Sequence, residues 1–364
     1  MKKNLSENSP VFGVLASVMS IISGLAVGLI IMLIFNPETA FTAFGMLLKG
    51  GFSNGLKSMG QVFHYIAPYA MCGLSVAFSF QTGVFNIGVA GQFTVGGMVA
   101  VLIGGMALGI PDPIRWIVAI LLAGLAGVIW GMIPGLMKAF LNCNEVIACI
   151  MMNYISIYFS NWVIQTYFYD PTLVASKYVK STSLLPRMGM DKLFPGSSAS
   201  SAVFIALLFC IIIYILLYRT GFGYELRASG FNKDAAYYAG INEKRNIILV
   251  MLIAGFIAGV GGGMLFLSSQ TKNFLVSEIA IVETSYGIPI ALLALNNPIG
   301  VFCASFLLAW LTVGGTMVQS AGFPTETVET ITAVIIYFSA FSLIFTQIIR
   351  KWHFKKDEQR KEEK

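Results

Sequence analysis

Residues 246–268 read NIILVMLIAGFIAGVGGGMLFLS, a run without a charged residue and with glycine at 255, 259 and 263. A helix needs about 20 predominantly apolar residues to cross a hydrocarbon core ~30 Å thick, and this stretch meets that requirement. Four-residue spacing puts the three glycines on one helical face. Lipid tails give helices no hydrophobic reason to associate, so a small-residue face that permits close backbone approach is a packing surface. Gly127, Gly131 and Gly135 repeat the pattern, as do Gly24 and Gly28. Hinges are the alternative use of such glycines; we read them as packing faces.

Comparable apolar runs lie outward from this one at 11–35, 59–80, 85–109, 114–137, 144–168, 200–218, 283–296, 299–319 and 327–349. The run 283–296 is short and carries Pro289, so a broken or re-entrant segment is expected there. Across the chain 57% of residues are hydrophobic and 11% charged, against roughly 25% charged in soluble domains. The fold class that follows is an all-α polytopic membrane protein. About ten transmembrane helices are expected, eight being possible, with broken or re-entrant segments. Residues 1–349 read as one transmembrane domain and 350–364 as a basic tail.

With ten spans and the N-terminus inside, fifteen lysines and arginines fall on the cytoplasmic side and eight on the other. That excess places both termini in the cytoplasm. The opening MKKNLSENSP is followed by an apolar run to Phe35 without a small-residue cleavage site. It reads as an uncleaved first helix, a removed signal peptide being the alternative. The tail from Arg350 to Lys364 suits an anionic leaflet; its interleaved acids and the want of an aromatic stacking platform argue against nucleic acid. Cysteines at 72, 143, 149, 210 and 303 form no CxxC, and the histidines are His64 and His353. Neither a zinc site nor disulfides are expected.

Two stretches break the pattern of spanning helices: SFQTGVFNIGVAGQ (79–92) and YGIPIALLALNNPIG (286–300). Each puts Gly, Asn or Gln, and aromatic or proline residues at membrane depth, where irregular backbone must be buried in protein or line a wet cavity. One lies in each half, the arrangement of paired broken helices around a central path; plain loops are the alternative. The polar segment 219–245 has helix-forming pieces at 225–228 and 233–239, separated by Gly230 and closed by Gly240. Ala235, Ala236 and Ala239 give it a small-residue face that could seat in a groove of another protein, a solvated connector being the alternative.

Four blocks in order carry a resemblance: GVFNIGVAGQFTVGG (83–97), NEVIACIMMNYI (144–155), GYELRASGFNKDAAYYAGI (223–241) and GIPIALLALNNPIGV (287–301). WLTVGGTMVQSAGFP (310–324) extends the set. The chain resembles the membrane-spanning permease subunit of a bacterial ABC importer, in the group of ribose and branched-chain amino-acid permeases, and within it the nucleoside permeases. Ala90 stands where the nucleoside subgroup carries an acidic residue, so no role for that carboxylate carries over. The group has a small residue and then an extra polar or basic one ahead of the asparagines, whereas here Leu295 precedes Asn296.

The resemblance implies a machine around the chain. It would include a second permease subunit, homologous or identical, a cytoplasmic ABC ATPase, and an extracytoplasmic substrate-binding lipoprotein or periplasmic protein. This chain would be a transport subunit in the cell membrane that binds no cofactor, with ATP used by the partner. It lacks a GxxxxGK[ST] phosphate loop. The segment 219–245 matches the ATPase-contacting part, with Arg227, Ala228, Gly230, Ala235, Ala236 and Gly240 as coupling residues. Phe80, Phe85, Asn86, Gln92, Asn296 and Asn297 are the candidate substrate path, offering ring stacking and amide hydrogen bonds to a nucleoside. A ribose or other sugar permease is the nearest alternative. An ion-coupled transporter needs deep ionisable groups, and Glu145 and Glu283 sit only at span edges. A membrane-embedded enzyme finds no HExxH and no serine–histidine pairing.

Overall fold

The computed structural model describes residues 10–324, apart from 107–108, and parts of 329–344. In chain order the helices are α1 (Pro10–Phe35), α2 (Ala40–Lys49), α3 (Leu56–Gln81), α4 (Val89–Gly105), α5 (Asp112–Leu141), α6 (Glu145–Tyr167) and α7 (Met190–Leu193). Then follow α8 (Ala202–Arg219), α9 (Gly221–Phe231), α10 (Lys233–Tyr238), α11 (Glu243–Phe266), α12 (Val282–Ser285), α13 (Gly287–Leu293) and α14 (Pro298–Val318). The protein is an all-α polytopic membrane protein. Among the described residues, seven helices are long and apolar enough to cross a membrane: α3, α5, α6, α8, α11, the Val18–Phe35 part of α1, and α14 with the turn after it.

Of the expected spans, one comes out differently, one is broken as expected, and one lies largely outside the described residues. The run 85–109 forms a helix only over Val89–Gly105, about 25 Å at 1.5 Å per residue and short of a ~30 Å core. Residues 82–88 leave the helical path, with Gly83 at φ +76. The run 283–296 is two short pieces, α12 and α13, interrupted at Tyr286 and ended by the turn 294–297. The run 327–349 lies mostly outside the described residues, as does the tail 350–364. The sequence reading places no element between 35 and 59, where α2 lies.

Helices α3 and α11 form the inside of the bundle. The spanning window of α3 is 89% buried and that of α11 72%, whereas that of α1 is 22%. Outer helices turn Ile34, Ile129, Ile147 and Phe204 outward, a surface suited to lipid and not to water. The glycine faces are packing faces. A Cβ on Gly131 would stand 2.7 Å from the Met251 carbonyl oxygen, and one on Gly255 would run into the carbonyl of Gly127. Both α5 and α11 continue unbroken through these positions, so they are not hinges here. Such contact lets backbone meet backbone where a larger side chain would hold the helices apart.

We call the end carrying 220–242 the proximal end and the opposite one the distal end. The distal end is capped by the polar segment 168–201, which hydrogen-bonds to 267–276. Ser176 donates to the Phe274 carbonyl at 2.8 Å, Val179 to that of Lys272 at 2.9 Å and Leu185 to that of Leu267 at 2.9 Å. Strands β1 (Tyr169–Asp170) and β2 (Ala175–Ser176) pair within this cap. There the Thr172 hydroxyl and amide donate to Asp170 at 2.7 and 3.0 Å and hold its carboxyl below the ordinary value.

Candidate functional site

Asn86, between α3 and α4, is fully buried. Its Oδ1 accepts from the Gly88 amide at 2.9 Å, and its Nδ2 donates to Gln92 Oε1 at 3.2 Å. Asn153 of α6 closes the arrangement from the side. Its Oδ1 accepts from the Gly91 amide at 2.8 Å, and its Nδ2 donates to the Ile87 carbonyl at 3.1 Å. These amides take the place of the ladder bonds lost where the helix is interrupted, as buried backbone polar groups require. The structure thus brings Asn86 and Gln92 together, buried and turned toward protein. Sequence reasoning missed Asn153, although an asparagine in the apolar run 145–157 is itself a signal.

Phe80 and Phe85 stack across the same interruption, ring centroids 4.7 Å apart and planes within 10°. Phe85 remains 40% exposed. The end of this first interruption touches the second. Gln81 Nε2 donates to the Asn296 carbonyl at 3.3 Å. Leu295 and Asn296 both lie in the left-handed region, at φ +51 and +58, and Asn296 Oδ1 is buried without a partner. Asn297 has a capping role. Its side chain accepts from the Ile299 and Gly300 amides at 3.0 and 3.3 Å and starts α14.

A second group of polar aromatics, also missed, runs along α3 toward the distal end. Gln61, Tyr65 and Tyr69 recur every four residues and share one face. Tyr65 and Tyr69 rings are 5.8 Å apart, and Tyr69 and Tyr286 rings 4.5 Å apart at 36°. Gln270 Nε2 donates to the Tyr65 hydroxyl at 3.2 Å, Gln61 bonds Gln270, and the Tyr69 hydroxyl meets Thr312 Oγ1 at 3.3 Å. The signal was the polar stripe at four-residue spacing on a helix otherwise rich in apolar residues.

At the proximal end, α9 rests directly on the first interruption. A Cβ on Gly230 would stand 2.5 Å from the Thr82 carbonyl carbon, so these backbones meet without side chains between them. Ser229 Oγ accepts from Asn246 Nδ2 of α11 at 3.2 Å. Beside them a cavity of about 30 Å³, room for a water or two, is lined by Thr82, Val84, Lys138, Glu145, Glu243 and Asn246. Lys138 and Glu145 pair across it at 2.6 Å.

The segment 219–245 holds two helices, and their division differs from the expected one. Gly230 lies inside α9, and the break falls at Asn232, whose side chain caps α10 by accepting from the Ala235 amide at 3.0 Å. Gly240, at φ +78, closes α10. Ala236 turns inward at 4% exposure, while Ala235 and Gly240 face out. A 100° step per residue separates the Ala235/Ala239 face from Ala236. Three aromatic side chains stand out into the surroundings: Phe231, Tyr237 and Tyr238 are 83%, 76% and 89% exposed. Arg227 lies 4.8 Å over the Tyr218 ring, and Ala228 beside it is half-buried.

Residues 58–340 match the family model described as branched-chain amino acid transport system / permease component. The chain belongs to this family. It is a permease component, a multi-pass membrane protein of the ABC transporter type. It is 36% identical to the guanosine ABC transporter permease protein NupP of Bacillus subtilis, over 93% of this chain and 96% of that protein. It is 32% identical to the nucleoside ABC transporter permease protein NupB of Lactococcus lactis, over 93% of each. The glucose ABC transporter permease protein of Haloferax volcanii is 26% identical, over 90% of this chain and 87% of that protein. No solved structure matches the chain. The matched permease region contains both interruptions, the tyrosine stripe and the segment 219–245.

Proposed function

We propose that this permease is the path-forming membrane subunit of an ATP-driven importer of nucleosides. The observation that carries the substrate class is its identity to NupP and NupB across nearly the whole chain. The chemistry agrees with it. Stacked rings, amides and hydroxyls around Tyr65, Tyr69, Phe80 and Phe85 suit an uncharged base and sugar, because stacking and neutral hydrogen bonds ask for no counter-charge. The path runs from the tyrosine stripe past Phe80 and Phe85 to the turn at Asn296 and Asn297. Asn86 and Gln92 hold its wall from behind.

The proximal end is the cytoplasmic one, both termini lie there, and residues 1–349 form the transmembrane domain with 350–364 as its tail. A separate ATPase docks on 219–245, against Phe231, Tyr237 and Tyr238, with Arg227, Ala228, Gly230, Ala235, Ala236 and Gly240 shaping that segment. This chain binds no cofactor of its own. A second permease subunit and an extracytoplasmic binding protein complete the assembly. ATP can shift the inward–outward balance only through differential contacts, and the α9 contact with residues 82–83 supplies them.

The test is uptake by cells expressing the chain with its ATPase, second permease and binding protein. Labelled guanosine should accumulate, be competed by other nucleosides, and be unaffected by ribose or leucine. Accumulation of ribose with no response to guanosine, adenosine, uridine or cytidine contradicts the reading. Tyr238→Asp should leave the protein in the membrane at wild-type level and cut uptake at least tenfold, with loss of ATPase co-purification. Wild-type uptake in that variant contradicts the docking surface.

A further inference from the structure

We propose that Tyr69 and Tyr286 form the stacking site for the planar base of the solute, an assignment that rests on the nucleoside reading above. Tyr69 lies about 20 Å along α3 from its distal start, at 1.5 Å per residue, and is 2% exposed. Its ring faces Tyr286 at 4.5 Å between centroids. Tyr286 occupies the single position between α12 and α13, so its ring can be displaced without unravelling a spanning helix. A base needs about 3.5 Å on each side, so the rings part to roughly 7 Å around it. Their mutual stack is then exchanged for two stacks on the base.

The groups around the pair fit a base edge and a sugar. The Tyr69 hydroxyl and Thr312 Oγ1 share one contact at 3.3 Å, and Tyr65 accepts from Gln270 at 3.2 Å. Each of these neutral groups can exchange its partner for a solute hydroxyl or amide.

Photolabelling the assembled transporter with 8-azidoguanosine, and mapping the labelled peptides by mass spectrometry, tests the site. Label should fall on the peptides that contain Tyr69 and Tyr286 and be competed by guanosine. Tyr286→Leu should lower it about tenfold, the loss of one base–aromatic stack, while Tyr286→Phe keeps it within about twofold at an equal melting temperature. Guanosine-competed label that maps elsewhere, or that is unchanged in Tyr286→Leu, overturns the stacking site and leaves the nucleoside reading standing. An equal loss in Tyr286→Phe also overturns it, because the ring is retained there. Wild-type transporter with no guanosine-competed label overturns the nucleoside reading and the site with it.

Discussion

The two interruptions, 82–88 and 294–297, touch each other through Gln81 and Asn296 yet are built in opposite ways. The first is held by the buried amides of Asn86 and Gln92, which satisfy each other, and by the half-buried amide of Asn153, which satisfies the freed backbone. The second is held by its own turn and by the Asn297 cap. It keeps a buried Asn296 Oδ1 without a partner and a leucine in the left-handed region. A satisfied network rigidifies, while an unsatisfied and strained turn is poised to change. The difference assigns the two elements different work. In the proposed importer the first, with α9 seated on it, would transmit motion as a unit and the second would yield.

Breaking the first interruption should have the larger effect. Asn86→Leu removes the acceptor of the Gly88 amide and the partner of Gln92, and each buried group left unmet costs about 1–3 kcal/mol. The folded protein in detergent should lose roughly 3 kcal/mol, read as a marked fall in melting temperature, with uptake falling in proportion. An unchanged melting temperature would show that the amide network carries no load. Leu295→Gly should act in the other direction and by less. Relieving a left-handed leucine returns about 1 kcal/mol, less whatever glycine gives back through unfolded-chain entropy. A small rise or no change in melting temperature is expected, with faster uptake if the turn must move. A fall of several kcal/mol would place this turn with the rigid elements and erase the contrast.

Much of this was legible in the residues. The glycine spacing at 127, 131, 255 and 259 encodes the α5–α11 contact, because four-residue steps and backbone approach are local properties of a helix. The irregular stretches 79–92 and 286–300 announced both interruptions through their Gly, Asn and Pro content. What the residues could not show was direction. Asn86 and Phe85 sit one position apart in the sequence, yet one is sealed in protein and the other is 40% exposed. That outcome depends on α6 bringing Asn153 alongside, a contact 62 residues distant from Gly91. The tyrosine site likewise needs Tyr286 and Gln270, more than 200 residues from Tyr65 in sequence, and only the fold brings them to one place. In 219–245 the helices were foreseen, but the division at Asn232 was not, since a glycine suggests a break more strongly than a capping asparagine does.

The account turns on which interruption moves, and hydrogen exchange read by mass spectrometry on the assembled transporter addresses it directly. Exchange would be followed with and without a non-hydrolysable ATP analogue, since amide protection reports local opening. The prediction is slow exchange over 83–92 in both conditions, and a change in protection of about tenfold or more over 286–297. Equal change in both segments, or a change confined to 83–92, would contradict the account.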